Sequence, residues 1–287
     1  MPPVPSFPPE LHDYIIDFLS DDKSALLSCS LVSRGWKAAS QYHLFHTIKV
    51  RHPTTLSSLN NFLQNSPHIA ILIRDLSLSG SGCTTFDEQM HITTHDISKC
   101  ASHLSELKYL RLEGIWWSDV SREAADSTSA ERRAHSSTGP NLCRLIISKI
   151  FTTPDGLLDA MCAFGSIETL NVERVYWTWG VDRGDPASRP QKRRPSLRGL
   201  QVGPGSTYNM LRCFLPLVEE RMDVSALDSL SLEFEHFDAW QELREFLQHV
   251  SPHLKRLSLK FGKYAIINEC TFVRPICRVK SDFVGFH

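Results

Sequence analysis

The feature that most constrains this chain is a spacing, apolar-x-x-apolar-x-apolar, that recurs seven times. It runs Ile73/Leu76/Leu78, Leu107/Leu110/Leu112, Leu142/Leu145/Ile147, Ile167/Leu170/Val172, Leu197/Leu200/Val202, Leu227/Leu230/Leu232 and Leu254/Leu257/Leu259. The last position advances by 34, 35, 25, 30, 30 and 27 residues. Self-similarity at such a period marks a repeated supersecondary unit. Alternate residues of a strand share a face, so Leu110 and Leu112 point one way and Tyr109, Arg111 and Glu113 the other. A strand followed by a helix in each period predicts an α/β chain, a parallel sheet with helices outside it.

Helical stretches lie between the strands. Thr153-Pro154 can open one over Asp155 to Phe164, and residues 207 to 222 form another with a kink expected at Pro216. Trp240, Leu243, Leu247 and Val250 make a helical stripe, and Leu56, Leu59 and Leu63 mark a helix before the first repeat. Two stretches interrupt the pattern. Ser118 to Pro140 is polar and Ser-rich, so it is expected to loop out. Gly180 to Ser196 carries Arg183, Arg189, Lys192, Arg193 and Arg194. Its basic run reads as a solvated loop, with a nuclear import signal or phosphorylation of Ser196 as the alternatives. Residues 263 to 287 leave the pattern and read as a terminal cap or a poorly ordered tail.

The first 46 residues have another character: three short helices. Leu11, Tyr14, Ile15, Phe18 and Leu19 form one apolar stripe at helical spacing, and Pro8 and Pro9 suit a first turn. Asp22 can cap a second helix holding Leu26, Leu27, Leu31 and Val32. Ser33 can cap a third with Trp36, Tyr42, Leu44 and Phe45. Helices this short cannot bury so much apolar surface among themselves, so something else must cover it.

These residues resemble a known family. Phe7-Pro8-Pro9-Glu10-Leu11, Ile15-Ile16-Asp17-Phe18-Leu19 and Cys29-Ser30-Leu31-Val32-Ser33-Arg34-Gly35-Trp36 are similar to the F-box, most of all to the F-box-like domains expanded in mushroom-forming fungi. Phe7 and Ser33 depart from the usual Leu and Cys. The resemblance implies docking onto the Skp adaptor of a cullin-based ubiquitin ligase through Pro8, Leu11, Ile15, Ile16, Leu19, Leu26, Leu31, Val32 and Trp36. The seven-fold pattern resembles leucine-rich repeats, which would capture a protein substrate. The implied fold is an N-terminal three-helix F-box (1–50), an irregular leucine-rich-repeat-like solenoid (51–262) and the tail (263–287).

The match to leucine-rich repeats is loose at one place. The Asn or Cys expected after the L-x-L ending is replaced by Ile115, Ile150 and Val175, which leaves the curvature open. An aromatic follows each: Trp116, Phe151 and Tyr176. These rings could rim a ligand site at the strand ends, but packing between repeats is the preferred reading.

Composition and motifs exclude several other functions. With 31 basic against 32 acidic residues and a net charge of −1, no global field recruits nucleic acid or an anionic membrane. The longest aliphatic run, Ile69 to Ile73, is far short of the roughly 20 residues of a membrane span. The N-terminus lacks the charge and apolar stretch of a signal peptide, so a cytoplasmic or nuclear location is expected. The 8 cysteines are scattered without C-x-x-C and read as reduced thiols. His91 and His95 are four apart, which could place them on one helix face before Cys100 and His103. Position 92 is Ile where a zinc hydrolase needs Glu, so no metal is expected. No G-x-S-x-G occurs, and the glycines around Gly80 and Gly203 lack the Lys of a phosphate loop.

The expected function is therefore a non-catalytic substrate receptor without a cofactor. The alternatives are a ligase-independent interaction scaffold and, more distantly, an enzyme using the His91/His95 region. Period-two alternation puts Asp75, Ser77, Tyr109, Arg111, Glu113, Arg144, Asn171, Glu173, Gln201 and Glu233 on the solvent face of successive strands. Tyr109, Arg111 and Arg144, followed by Glu113, Asn171 and Glu173, are the residues expected to bind substrate.

Overall fold

The computed structural model describes residues 8–51, 53–80, 90–118, 139–178, 194–203, 210–234 and 240–261. The two expected insertions and the expected tail fall mostly outside these residues, as do the sequences following Gly80 and Gly203.

Three helices come first: α1 (Pro9–Phe18), α2 (Lys23–Val32) and α3 (Arg34–Phe45). Both expected caps are used. Asp22 Oδ1 accepts from the Ala25 N–H at 3.0 Å and Ser33 Oγ from the Trp36 N–H at 3.3 Å, each satisfying an otherwise orphaned donor. Ile16, Leu26 and Cys29 form a small core, closed by Leu19, Trp36, Ala39 and Leu44 and separate from the main core of the chain.

The chain then passes into β1 (Thr47–Val50), α4 (Pro53–Asn65), α5 (Pro67–Ala70) and β2 (Asp75–Ser79). It continues through β3 (Met90–Thr93), α6 (Thr94–His103), β4 (Tyr109–Glu113), β5 (Ile115–Ser118), β6 (Asn141–Ser148), β7 (Phe151–Thr152) and α7 (Pro154–Met161). The last elements are β8 (Ser166–Glu173), β9 (Tyr176–Trp177), β10 (Ser196–Val202), α8 (Met210–Arg221), β11 (Ser229–Phe234), α9 (Trp240–Val250) and β12 (Arg256–Phe261). The class is α/β.

Eight strands form one parallel sheet in the order β1-β2-β4-β6-β8-β10-β11-β12. Each of the seven apolar triplets of the sequence supplies one strand, and the triplets pair in phase. Leu76, Leu110, Leu145, Leu170, Leu200, Leu230 and Leu257 stand side by side in successive strands. Leu78, Leu112, Ile147, Val172, Val202, Leu232 and Leu259 form the next row. Nearly all are buried in the main core. The in-phase spacing fixes the register, because a one-residue slip would turn every one of these side chains to water. An eighth strand, β1, was not foreseen. It pairs with β2 through Ile48 opposite Leu76 and Val50 opposite Leu78, so residues 47–50 belong to the sheet and not to the helical unit in which the sequence placed them.

The structure also holds a second parallel sheet, β3-β5-β7-β9, that the sequence reading missed. The main-sheet strands β4, β6 and β8 each turn into a short second-sheet strand at a residue with positive φ: Gly114 (64°), Lys149 (53°) and Arg174 (51°). Two of the three are not glycine, an uncommon conformation for a side-chain-bearing residue. Backbone bonds tie these corners together: the Gly80 N–H donates to Glu113 O at 2.9 Å, Gly114 to Ser148 O at 3.1 Å and Lys149 to Glu173 O at 3.1 Å. Ile115, Ile150 and Val175, where a side-chain amide or thiol was expected, are fully buried apolar plugs behind the corners. Backbone hydrogen bonds, not side chains, thus link successive corners.

Candidate functional site

Two exposed surfaces carry the functional reading. The first is on the N-terminal helices. The stripe Leu11, Tyr14, Ile15, Phe18 does not meet the core; it faces water, with Tyr14 70% and Phe18 84% exposed. On α2, Leu27, Leu31 (87%) and Val32 (70%) are exposed as well. Scattered apolar residues on a surface are ordinary, but seven large ones within two adjacent short helices are not.

The residues expected to dock an adaptor divide between this surface and the interior. Pro8, Leu11, Ile15, Leu31 and Val32 are exposed. Ile16 and Leu26 are completely buried in the helical core, and Leu19 and Trp36 are half-buried against them. Trp36 meets the His12 ring edge-on at 5.8 Å. Ile16 and Leu26 therefore hold the helices together, while Leu19 and Trp36 close that core and keep part of their surface in reach of solvent. Tyr14, Phe18 and Leu27 were missing from the docking set and are among its most exposed candidates. The stripe pointed to Tyr14 and Phe18; nothing in the sequence distinguished Leu27 from its buried neighbour Leu26.

The second surface is the solvent side of the main sheet. Tyr109, Arg111, Arg144 and Gln201 are exposed, whereas Asp75, Ser77, Glu113, Asn171, Glu173 and Glu233 are half-buried. Alternation places them in rows. Asp75, Tyr109 and Arg144 lie in one row, and Lys49, Ser77, Arg111, Ile146, Asn171 and Gln201 in the next. Tyr109 and Arg144 are thus direct neighbours on β4 and β6, with Arg111 diagonal to Arg144. Glu113 is engaged by Lys149, whose Nζ lies 3.0 Å from Oε1. Asn171 Oδ1 is buried without a hydrogen-bond partner among the described residues.

The aromatic ladder is a third feature. Trp116 and Phe151 stack at 5.3 Å, Phe151 and Tyr176 at 4.8 Å, and His91 approaches Trp116 at 6.0 Å. Rings stacked along a sheet spend their faces on one another. A sugar or base needs a free ring face, so the ladder packs successive strands more readily than it binds a planar ligand.

Among the described residues, the His91/His95 pair and Cys100 do not come together as a chemical centre. His91 lies on β3 and His95 in the first turn of α6, so the expected shared helix face does not exist. Among the described residues no group of three His, Cys, Asp or Glu could hold a metal ion. Cys100 is buried; desolvation, with Asp96 nearby, pushes its thiol up to about 12, the reverse of what a nucleophile needs. Among the described residues no helix is long and apolar enough to cross a membrane. His43 bonds Asp17 at 2.7 Å and so ties α3 to α1. No protein-family model matches the chain, and neither does any curated protein.

Proposed function

We propose that the chain is a non-catalytic substrate receptor of a Skp-cullin-F-box ubiquitin ligase. On this reading the three N-terminal helices are an F-box-like unit that docks the Skp adaptor, and the strands and helices after them are a leucine-rich-repeat-like solenoid that captures a protein substrate. One observation carries the proposal above all: the apolar stripe of α1 and the apolar end of α2 face water while the unit keeps a core of its own. A short helical unit that is already folded and still presents Tyr14, Phe18, Leu31 and Val32 is built to be covered by an apolar partner surface. A role as a mere cap of the sheet would leave that exposed stripe without a use, which favours the docking reading. The motif order Pro8, Ile15-Ile16, Leu31-Val32, Arg34 and Trp36 adds the resemblance to the F-box.

The partner captured by the sheet is read as protein because polar, charged and aromatic side chains alternate over an open surface. The test is affinity capture of the full chain and of a Phe18→Asp/Leu31→Asp variant from cells in which degradation is blocked. The receptor reading expects a Skp adaptor and a cullin with the natural chain, and their loss with the variant while other captured proteins persist. A folded natural chain that retains no adaptor overturns it.

A further inference from the structure

We infer that the solvent side of β1, β4 and β6 recognises an extended protein segment bearing carboxylate side chains at alternate positions. The inference rests on the reading of this sheet face as the surface that captures the substrate, and names the chemistry of what it takes.

Three exposed cations define the patch. Lys49 on β1 and Arg111 on β4 occupy one row, two strands apart with Ser77 between them. Arg144 stands on β6 next to Tyr109. No ion pair involves any of the three among the described residues. Of the acidic neighbours, Glu113 is held by Lys149, and Asp75, diagonal to both Lys49 and Arg111, is half-buried and forms no ion pair with either. Unpaired cations on one open face attract anions and repel other cations, which gives both steering and selectivity.

Their spacing says which anion. Neighbouring strands lie about 4.8 Å apart, so Lys49 and Arg111 are roughly 10 Å apart at the backbone. Arg111 and Arg144 are diagonal neighbours, about 7–8 Å apart. In an extended peptide, side chains on one face recur about every 6.8 Å. Carboxylates at positions i and i+2 therefore meet Arg111 and Arg144 in turn, and a third reaches toward Lys49. Arginine forks suit carboxylates in paired geometry. Tyr109, 46% exposed, and Ile146 beside Arg111 supply apolar contact for the side chains between. Charge spread this way fits a run of acidic residues better than one concentrated phosphate.

Fluorescence anisotropy of the full chain tests this with labelled (Glu-Ser)6, (Gln-Ser)6 and (Lys-Ser)6 peptides, a (Gln-Ser)6 peptide bearing a single phosphoserine, and a twelve-nucleotide thymidine strand. The acidic peptide should bind at least tenfold more tightly than the neutral, basic and single-phosphate peptides and the DNA. Arg111→Glu/Arg144→Glu should remove that preference and raise affinity for (Lys-Ser)6, while Arg111→Gln/Arg144→Gln should remove the preference alone. Equal binding of the acidic and neutral peptides, or an acidic preference unchanged in both variants, overturns the inference. So does equal or tighter binding of the single-phosphate peptide or the DNA. Adaptor capture is scored separately. Its absence with peptide binding intact sinks the receptor reading alone, and its presence without peptide binding sinks this one.

Discussion

Trp116 and Phe151 stack within 13° of parallel across β5 and β7, and Phe151 presents its other face to Tyr176. The middle ring therefore belongs to two stacks in a sheet whose strands are only two to four residues long. Strands so short gain little from backbone pairing, so side-chain contact has to hold them.

Phe151→Ala removes both stacks and should lower unfolding stability by about 2–3 kcal/mol, with Phe151→Leu costing about 1 kcal/mol because apolar volume is retained. Urea unfolding followed by tryptophan fluorescence measures both. A Phe151→Ala chain as stable as the natural one would mean the ladder is not structural, and the rim reading of these aromatics would return.

The helical unit makes opposite predictions for neighbouring residues of α1. Phe18→Asp changes a side chain that is 84% exposed, so stability should move by less than about 0.5 kcal/mol. Ile16→Ala opens a cavity in a core of few residues and should cost about 2–4 kcal/mol. Trp36→Ala should weaken adaptor capture mainly by loosening that core, so its loss of binding should track its loss of helicity. Circular dichroism alongside adaptor capture separates the two effects. Capture lost without any loss of helicity would put Trp36 in the interface instead.

Helical periodicity shows which residues of α1 share a face, but not whether that face meets the protein or the solvent. That is why the stripe was legible and its direction was not; Ile16, off the stripe, turned out to be the buried one. The main sheet was readable because seven triplets repeat in phase and any other register would expose them. The second sheet was not, since a two-residue strand such as Phe151–Thr152 has no period to detect. Gly114 alone among the corners announces a positive φ. Lys149 and Arg174 take the same conformation at equivalent places with nothing in their side chains to mark it. His91 and His95 show the same limit. Their spacing suits a helix, but Thr93 caps α6 between them, its Oγ1 accepting from the Asp96 N–H at 3.2 Å, and the strand–helix boundary separates them.

Cys100 gives a pH prediction. Burial raises its thiol from 9.0 to about 12, with Asp96 adding to the effect. The folded chain therefore keeps its proton where the unfolded chain has lost it. Above about pH 9 the unfolded state binds fewer protons, so this group's contribution to stability is complete below that pH and declines between about 9 and 12. At pH 8.5 the native thiol should resist iodoacetamide and react only when the chain is unfolded in denaturant, as peptide mass mapping would show. Rapid labelling of Cys100 in the native protein would contradict its burial.

The last prediction concerns the contact between α7 and α8. The Arg221 guanidinium, 16% exposed, lies 3.6 Å from Asp155 and 3.8 Å from Asp159 on α7, and 3.4 Å from Glu220 beside it. Asp155 sits in the first turn of α7 and Arg221 in the last turn of α8, where each also complements its own helix dipole. A pair this shielded is screened less by salt than one on the open surface, yet its distances are too long for strong charge-assisted hydrogen bonds. It lies between the worth of an exposed ion pair and the cost of breaking a buried one. Arg221→Met should therefore destabilise by about 1–2 kcal/mol, and Arg221→Lys by less. Because three carboxylates share one cation, the effect should not be the sum of three pairs. A double-mutant cycle with Asp155→Asn should return a coupling of about 1 kcal/mol that shrinks only slightly between low and moderate salt. A coupling near zero would mean that apolar packing alone, through Leu158 on α7 and Phe214 and Val218 on α8, holds the two helices in place.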